Sequence, residues 1–250
     1  GGLEKEDVHE LLELAGRGKC ECEEKLKQVL EIKEKNGKCI EKNLIQDYAE
    51  YLCRLVIKET GGNEKPLDGL KVVIDAGNGA AGFFAKDVIE KLGGNSEGSQ
   101  FLNPDGSFPN HVPNPEAKEA IESIKKAVLE NKADFGIIFD ADGDRSAFID
   151  GNGREINRNN LIALLSEILL KEYPGASIVT DSVTSIGLKK FIESRGGIHH
   201  RYQRGYRNVI NEAKKLNREG KYTPLAIETS GHAAFIDNYF LDDGAYMAAR

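Results

Sequence analysis

Three aspartates two residues apart, Asp140, Asp142 and Asp144, follow the apolar run Phe135-Gly136-Ile137-Ile138-Phe139 and lead directly into Arg145. Side chains alternate sides along an extended loop, so the three carboxylates face one way and repel unless a cation sits among them. Oxygen ligands with no Cys or His nearby suit Mg²⁺, which keeps coordination sites for water or a substrate phosphate. Arg145 adds a planar fork of donors shaped for phosphate. A metal and an arginine at one strand end point to phosphoryl chemistry. Two plainer readings compete. An EF-hand loop also starts with alternating acids, but it requires Gly and Glu where Arg145 and Gly151 stand. The other is an acidic turn that ends a strand and binds nothing.

Such a loop needs a strand to deliver it to the carboxyl edge of a sheet, where open α/β sheets hold ligands. The flanking sequence alternates strands and helices. Lys71 to Asp75 reads as a strand, and the Gly77-to-Gly82 turn opens a helix to about Leu92. A turn-rich loop from Pro104 to Glu116 follows, in which Asn114 as N-cap and Pro115 at the first position start a helix running to about Asn131. Gly151-Asn152-Gly153 turns a hairpin between Ser146–Asp150 and Arg154–Ile156. Then come a helix from about Asn159 to Lys171, a strand from Ser177 to Asp181, a helix from Val183 to Arg195 and a strand near His199 to Tyr202. Arg204-Gly205-Tyr206-Arg207 opens another helix, and Pro224 to Glu228 forms a strand delivering Glu228-Thr229-Ser230-Gly231-His232. That loop places an acceptor, a hydroxyl and an imidazole together. A last helix runs from Asp243 through Met247 to Arg250.

The pattern predicts two similar α/β units, about 66–152 and 153–250. Residues 1–65 are rich in Glu and Lys, with Leu44, Tyr48, Leu52 and Leu55 at helical spacing; they form a helical piece of a domain rather than a whole one. Gly61-Gly62-Asn63 and Pro66 mark its boundary. The Gly77 turn also matches G-x-G-x-x-G, which could cradle a dinucleotide pyrophosphate. That fold wants an acidic residue about 20 positions on, at a strand end, and Glu97 falls early, within a turn-like stretch. A tight strand-to-helix turn fits better.

With 250 residues, 40% hydrophobic and 30% charged, the chain can bury one large core or several small ones. A net charge of −7 argues against a nucleic-acid partner, so an anionic substrate must meet local cations. No apolar run approaches the roughly 20 residues that span a bilayer, and the start does not resemble a signal peptide. The expectation is a cytoplasmic protein with no membrane partner. Cys20, Cys22, Cys39 and Cys53 lack paired C-x-x-C spacing and read as reduced thiols rather than a zinc site.

Taken together, Asp140-Ala141-Asp142-Gly143-Asp144-Arg145 resembles the metal loop of the α-D-phosphohexomutases, and Glu228-Thr229-Ser230-Gly231-His232 resembles that family's sugar-binding loop. The Gly77-to-Gly82 turn and the Pro104-to-Glu116 loop are similar to its second domain, and the four stretches occur in the family's order. The resemblance implies consecutive mixed-sheet α/β domains: a helical remnant of domain 1 over residues 1–65, domain 2 over 66–152, and a truncated domain 3 over 153–250. It implies a phosphosugar mutase that interconverts glucose or mannose 1-phosphate and 6-phosphate through a phosphoserine and a hexose 1,6-bisphosphate. Asp140, Asp142 and Asp144 would hold Mg²⁺, Arg145 the transferring group, and Glu228 and Ser230 sugar hydroxyls. His232 would act as acid/base or orient its loop. Ala141 replaces the family's usual Gly, Val183 stands where some relatives carry Lys, and Tyr206 where some carry His. Arg204, beside Tyr206, is then the candidate phosphate ligand. Neither a Ser-His-Asn-Pro phosphoserine loop nor an Arg-x-Ser-Gly-Thr phosphate loop occurs, so the chain is expected to be a central fragment that does not turn over alone. The rival readings are a non-catalytic phosphosugar-binding or scaffold protein of the same fold and a nucleotide-dependent enzyme using the Gly77 turn.

Overall fold

A computed structural model describes Leu3 and residues 5–16, 40–156 and 158–250. The chain divides into two units, residues 1–43 and 44–250. In the first, helix α1 (Lys5–Gly16) buries none of its residues. Cys20, Cys22 and Cys39 lie outside the described residues, and Cys53 is a buried free thiol.

The second unit starts with α2 (Leu44–Glu59), which buries Ala49, Leu52 and Cys53. Two four-stranded sheets follow. The first comprises β1 (Val72–Asp75), β2 (Phe135–Phe139), β3 (Ser146–Asp150) and β4 (Glu155–Ile156), in that order. β1 runs parallel to β2, and β2, β3 and β4 are successively antiparallel. The strands are short and almost wholly buried, as the unbroken apolar run of β2 requires. Helix α3 (Lys118–Asn131) covers one face through Ala120, Ile121, Ile124, Ala127 and Val128, which pack with Val73, Ile138 and Ile149. α2 and a π-type helical stretch, Phe84–Glu90, share the cluster containing Ile74, Ile137 and Phe139.

In the second sheet the order is β6-β5-β7-β8, with β5 (Ser177–Thr180), β6 (Ile198–Arg201), β7 (Leu225–Ile227) and β8 (Ala233–Phe235). β5 is parallel to both β6 and β7, and β8 returns antiparallel to β7. Helices α4 (Arg158–Glu172), α5 (Ile186–Ser194), α6 (Tyr206–Arg218) and the short α7 (Gly244–Ala249) complete the unit. Among the described residues no helix is long and apolar enough to cross a membrane.

Several expectations need correction. The helix expected at Pro115 begins at Lys118, because the Asn114 side chain accepts from Glu116 N–H and its carbonyl from Ala117 N–H, closing a turn of its own. The helix expected from Val183 begins at Ile186, where the Ser185 hydroxyl caps Leu188 N–H at 3.0 Å. The helix after the Gly77 turn is broken into a 3₁₀ turn, Ala80–Gly82, and the π-type stretch. β8 had no forecast: its three apolar residues, Ala233-Ala234-Phe235, carry no readable period.

Candidate active site

β2 and β7 are the inner strands that deliver the two polar loops. Leaving β2, the chain turns back on itself between Asp140 and Ser146 to enter β3. Asp140, 3% exposed, organises the turn: its Oδ1 accepts the N–H groups of Gly143 (3.0 Å) and Arg145 (3.1 Å), and its Oδ2 accepts Arg145 Nε at 2.8 Å. Gly143 supplies the positive φ (+79°) that the reversal needs. Ala141, in place of the family's Gly, has φ below zero and is unstrained.

Carboxylate oxygens of Asp140, Asp142 and Asp144 lie within 4.8 Å of one another, as the alternating spacing required. Burial and the charge of Asp140 push the Asp144 carboxyl up to about 7. A hard donor set of this kind fits a divalent cation such as Mg²⁺. Arg145 is partly committed: besides Asp140 it reaches Asn114 Oδ1 through Nη1 at 3.3 Å.

The second loop, leaving β7, has the same closure. Glu228 N–H donates to His232 O at 2.9 Å. Glu228 is buried; its Oε1 accepts Gly205 N–H at 2.6 Å, and Ser230 Oγ lies 3.4 Å from Oε2. Burial raises the Glu228 carboxyl above its usual range, with the Gly205 N–H opposing. A buried carboxylate beside a hydroxyl can read vicinal hydroxyl groups.

The two loops meet. Arg145 and His232 form an antiparallel bridge, and Gly231, with φ +99°, passes the Ser146 backbone so closely that a Cβ would lie 3.0 Å from its carbonyl. His232 Nδ1 lies 3.7 Å from Asp144 Oδ1 and 2.7 Å from Asp242 Oδ2, the latter without hydrogen-bond alignment. Burial disfavours the imidazolium, but the Asp242 and Asp144 carboxylates outweigh it and raise the group's affinity for a proton. The Tyr206 ring stacks on His232 with centroids 5.0 Å apart. Arg204 is exposed next to it. Asp142 and Asp144 line a cleft of ≈250 Å³ with Tyr48 and Asp242, whereas Glu228 and Ser230 line another of ≈220 Å³ with Lys118 and Arg158. The joined loops therefore separate two openings.

Sequence reasoning missed several supporting groups. Asp181 accepts Thr229 N–H and O–H at 2.9 and 2.7 Å, bracing the second loop from β5. Asp243 caps α7 through Tyr246 N–H, and Gly244 N–H donates to Gly143 O, so that helix abuts the metal loop. The acidic run Asp242-Asp243-Gly244 was a visible signal. The Gly77 turn holds no nucleotide-shaped cradle. A Cβ at Gly79 would lie 2.5 Å from Ala141 O, and one at Gly82 would collide with Leu102 O, so these glycines exist for loop packing.

Comparison with known proteins gives the arrangement its family. The family model for "Phosphoglucomutase/phosphomannomutase, alpha/beta/alpha domain II" matches residues 46–153, and that for domain III matches residues 157–250. A phosphomannomutase/phosphoglucomutase of Pseudomonas syringae pv. tomato is 39% identical over 182 residues, covering 72% of this chain and 38% of the relative. The crystal structure of a phosphoglucomutase/phosphomannomutase family protein from Burkholderia thailandensis superposes with a TM-score of 0.71 at 34% identity, covering 82% of this chain and 42% of that one. An Aspergillus fumigatus N-acetylphosphoglucosamine mutase, solved with GlcNAc-6P and magnesium, shares the fold at a TM-score of 0.53 and 14% identity, covering 81% of this chain and 45% of that one. The chain spans about two fifths of the length of the curated relative and of the Burkholderia structure. By two consecutive domain matches, and by its similarity to relatives of that name, the chain belongs to the phosphoglucomutase/phosphomannomutase family of phosphohexomutases.

Proposed function

We propose that these residues are the metal- and sugar-binding core of a cytoplasmic phosphosugar mutase acting on glucose or mannose phosphates through a hexose 1,6-bisphosphate. The observation that carries this reading is the direct backbone bridge between the Asp140–Arg145 loop and the Glu228–His232 loop. Residues 66–152 then lie in the metal-binding domain, whose family match begins at residue 46 and so takes in most of α2, and 153–250 form the sugar-binding domain.

Asp140, Asp142 and Asp144 would hold Mg²⁺, which when bound neutralises charge on a phosphoryl group. Asp140 fixes Arg145 by its Nε, so the guanidinium meets a phosphate without first having to be ordered. Glu228 and Ser230 hold sugar hydroxyls whose loss leaves buried acceptors unpaired, which makes them selective. His232, its proton retained by Asp242 and Asp144, can donate to a leaving or bridging oxygen. Arg204 and Tyr206 would border the substrate phosphate. With no Ser-His-Asn-Pro loop among them, the 250 residues bind without turnover.

Calorimetric titration with glucose 1-phosphate and mannose 1-phosphate in millimolar Mn²⁺ tests the reading. Binding that weakens at least tenfold in Glu228→Gln is expected. No binding of either sugar phosphate, or equal binding by the variant, would reject it.

A further inference from the structure

Asp75 and His111 form a buried, multiply bonded polar pair outside the site. Their side chains are 0% and 3% exposed. His111 Nε2 lies 3.1 Å from both Asp75 oxygens, and the same carboxylate accepts Gly77 N–H at 2.9 Å and Gln100 Nε2 at 2.7 Å. A carbonyl only accepts, so the 2.9 Å contact from Nδ1 to Val112 O places a hydrogen on Nδ1.

Val112 O is a shared anchor, because Asn114 N–H also donates to it at 2.8 Å. Asn114 in turn presents Oδ1 to Arg145 Nη1, on the guanidinium that Asp140 holds by Nε. The chain of contacts runs from the end of β1 through the ring of His111 and one carbonyl to the metal-loop arginine. Around it the loop is wound on Asn78, whose side chain reaches Asn103 O and Asn110, and whose backbone pairs with Phe101 and Asp105. Phe101 sets its ring edge against His111 at 5.4 Å.

We propose that His111 is a positioning residue for Arg145: latched by Asp75, it sets Asn114, and Asn114 fixes the free end of the guanidinium beside the metal loop. The consequence for phosphate binding rests on the reading of Arg145 above, whereas the latch does not. Solvent exchange of the Arg145 Nε–H, followed by ¹⁵N NMR, is the readout. In His111→Gln and in Asn114→Ala it should quicken at least fivefold, and the double variant should be no faster than either single one. Val209→Ala, a core change in α6, should lower the melting temperature without altering it. Unchanged exchange in Asn114→Ala overturns the proposal, and that test stands even if His111→Gln fails to fold. Additive effects in the double variant also overturn it. Faster exchange with undiminished glucose 1-phosphate affinity supports the latch and counts against the phosphate role of Arg145.

Discussion

The Asp140–Arg145 loop, the proposed metal loop, and the Glu228–His232 loop, the proposed sugar loop, are two versions of one device. Each leaves an inner parallel strand, closes with a backbone hydrogen bond between its first and last residues, and returns as an antiparallel strand: β2 to β3 across Asp140–Arg145, and β7 to β8 across Glu228–His232. Beside each, a parallel neighbour ends in a fully buried aspartate, Asp75 after β1 and Asp181 after β5. They differ in how they are braced. The metal loop is tied from within by Asp140, and Asp75 grips the covering loop through His111. Within the sugar loop the Glu228 carboxylate takes only the Ser230 hydroxyl, at 3.4 Å, and Asp181 grips the loop directly at Thr229. The first carries three converging carboxylates and the second one well-bonded glutamate. One loop gathers acids; the other sets a single acid among donors.

Neutralising Asp142 within the first loop and Asp181 beneath the second should therefore move stability in opposite directions. The largest effect is expected for Asp181→Ala, which strands the Thr229 N–H and O–H and the Val183 N–H together. A loss of about 3 kcal/mol is expected by urea denaturation, the scale for removing one partner of a buried charged network. A change below about 1 kcal/mol would mean the sugar loop is braced elsewhere. Gly79→Ala comes next, since its Cβ would lie 2.5 Å from Ala141 O and 2.9 Å from Ala141 Cα, both backbone atoms that cannot swing away. It should cost about 2 kcal/mol and weaken Mn²⁺ binding, because the metal loop must shift.

Asp142→Asn should do the reverse. Removing one of three converging charges leaves metal-free stability unchanged or higher by about 0.5 kcal/mol, while Mn²⁺ affinity falls more than tenfold. A marked loss of stability would show that Asp142 has a structural bond. A modest loss, about 1 kcal/mol, is expected for Thr229→Val, which removes only the hydroxyl donated to Asp181.

The pH dependence follows from Asp144. Its carboxyl sits at about 7 in the folded chain against a reference of 3.8, so between those values the folded state holds more protons than the unfolded one. This contribution is fully present below the unfolded value and is lost as pH rises to about 7. Urea midpoints of the metal-free chain should fall over that window. Mn²⁺ should abolish the trend, with an affinity that drops as pH falls below 7. A metal-free midpoint that rises through the window because of Asp144, testable by its loss in Asp144→Asn, would contradict the assignment.

Both loops were legible in the sequence because their chemistry is local: acids at alternate positions after an apolar strand, and a carboxylate, hydroxyl and imidazole within five residues. The α/β alternation was legible for the same reason. What escaped depends on distant partners. Asp181 reads as the end of a strand until Thr229 is seen 48 positions away on its carboxylate. Asp75 and His111 are separated by 36 positions, and only the folded loop joins them. Asn114 was read as a helix cap because Asn-Pro often is one, but its side chain closes a turn and meets Arg145 instead. The adjacency of the two loops was invisible for the same reason, since a bridge between Arg145 and His232 leaves no periodic trace.

The most direct test of the proposed cation site in the Asp140–Arg145 loop, which the Arg145–His232 bridge joins to the second loop, is a Mn²⁺ titration of the ¹⁵N-labelled chain, following paramagnetic broadening of assigned amides. At substoichiometric Mn²⁺ the signals of Gly143, Asp144 and His232 should vanish first, and Asp142→Asn should restore them. Broadening that instead centres on another acidic surface, such as Glu116 and Glu122 at the start of α3, or that persists in Asp142→Asn, would contradict the account.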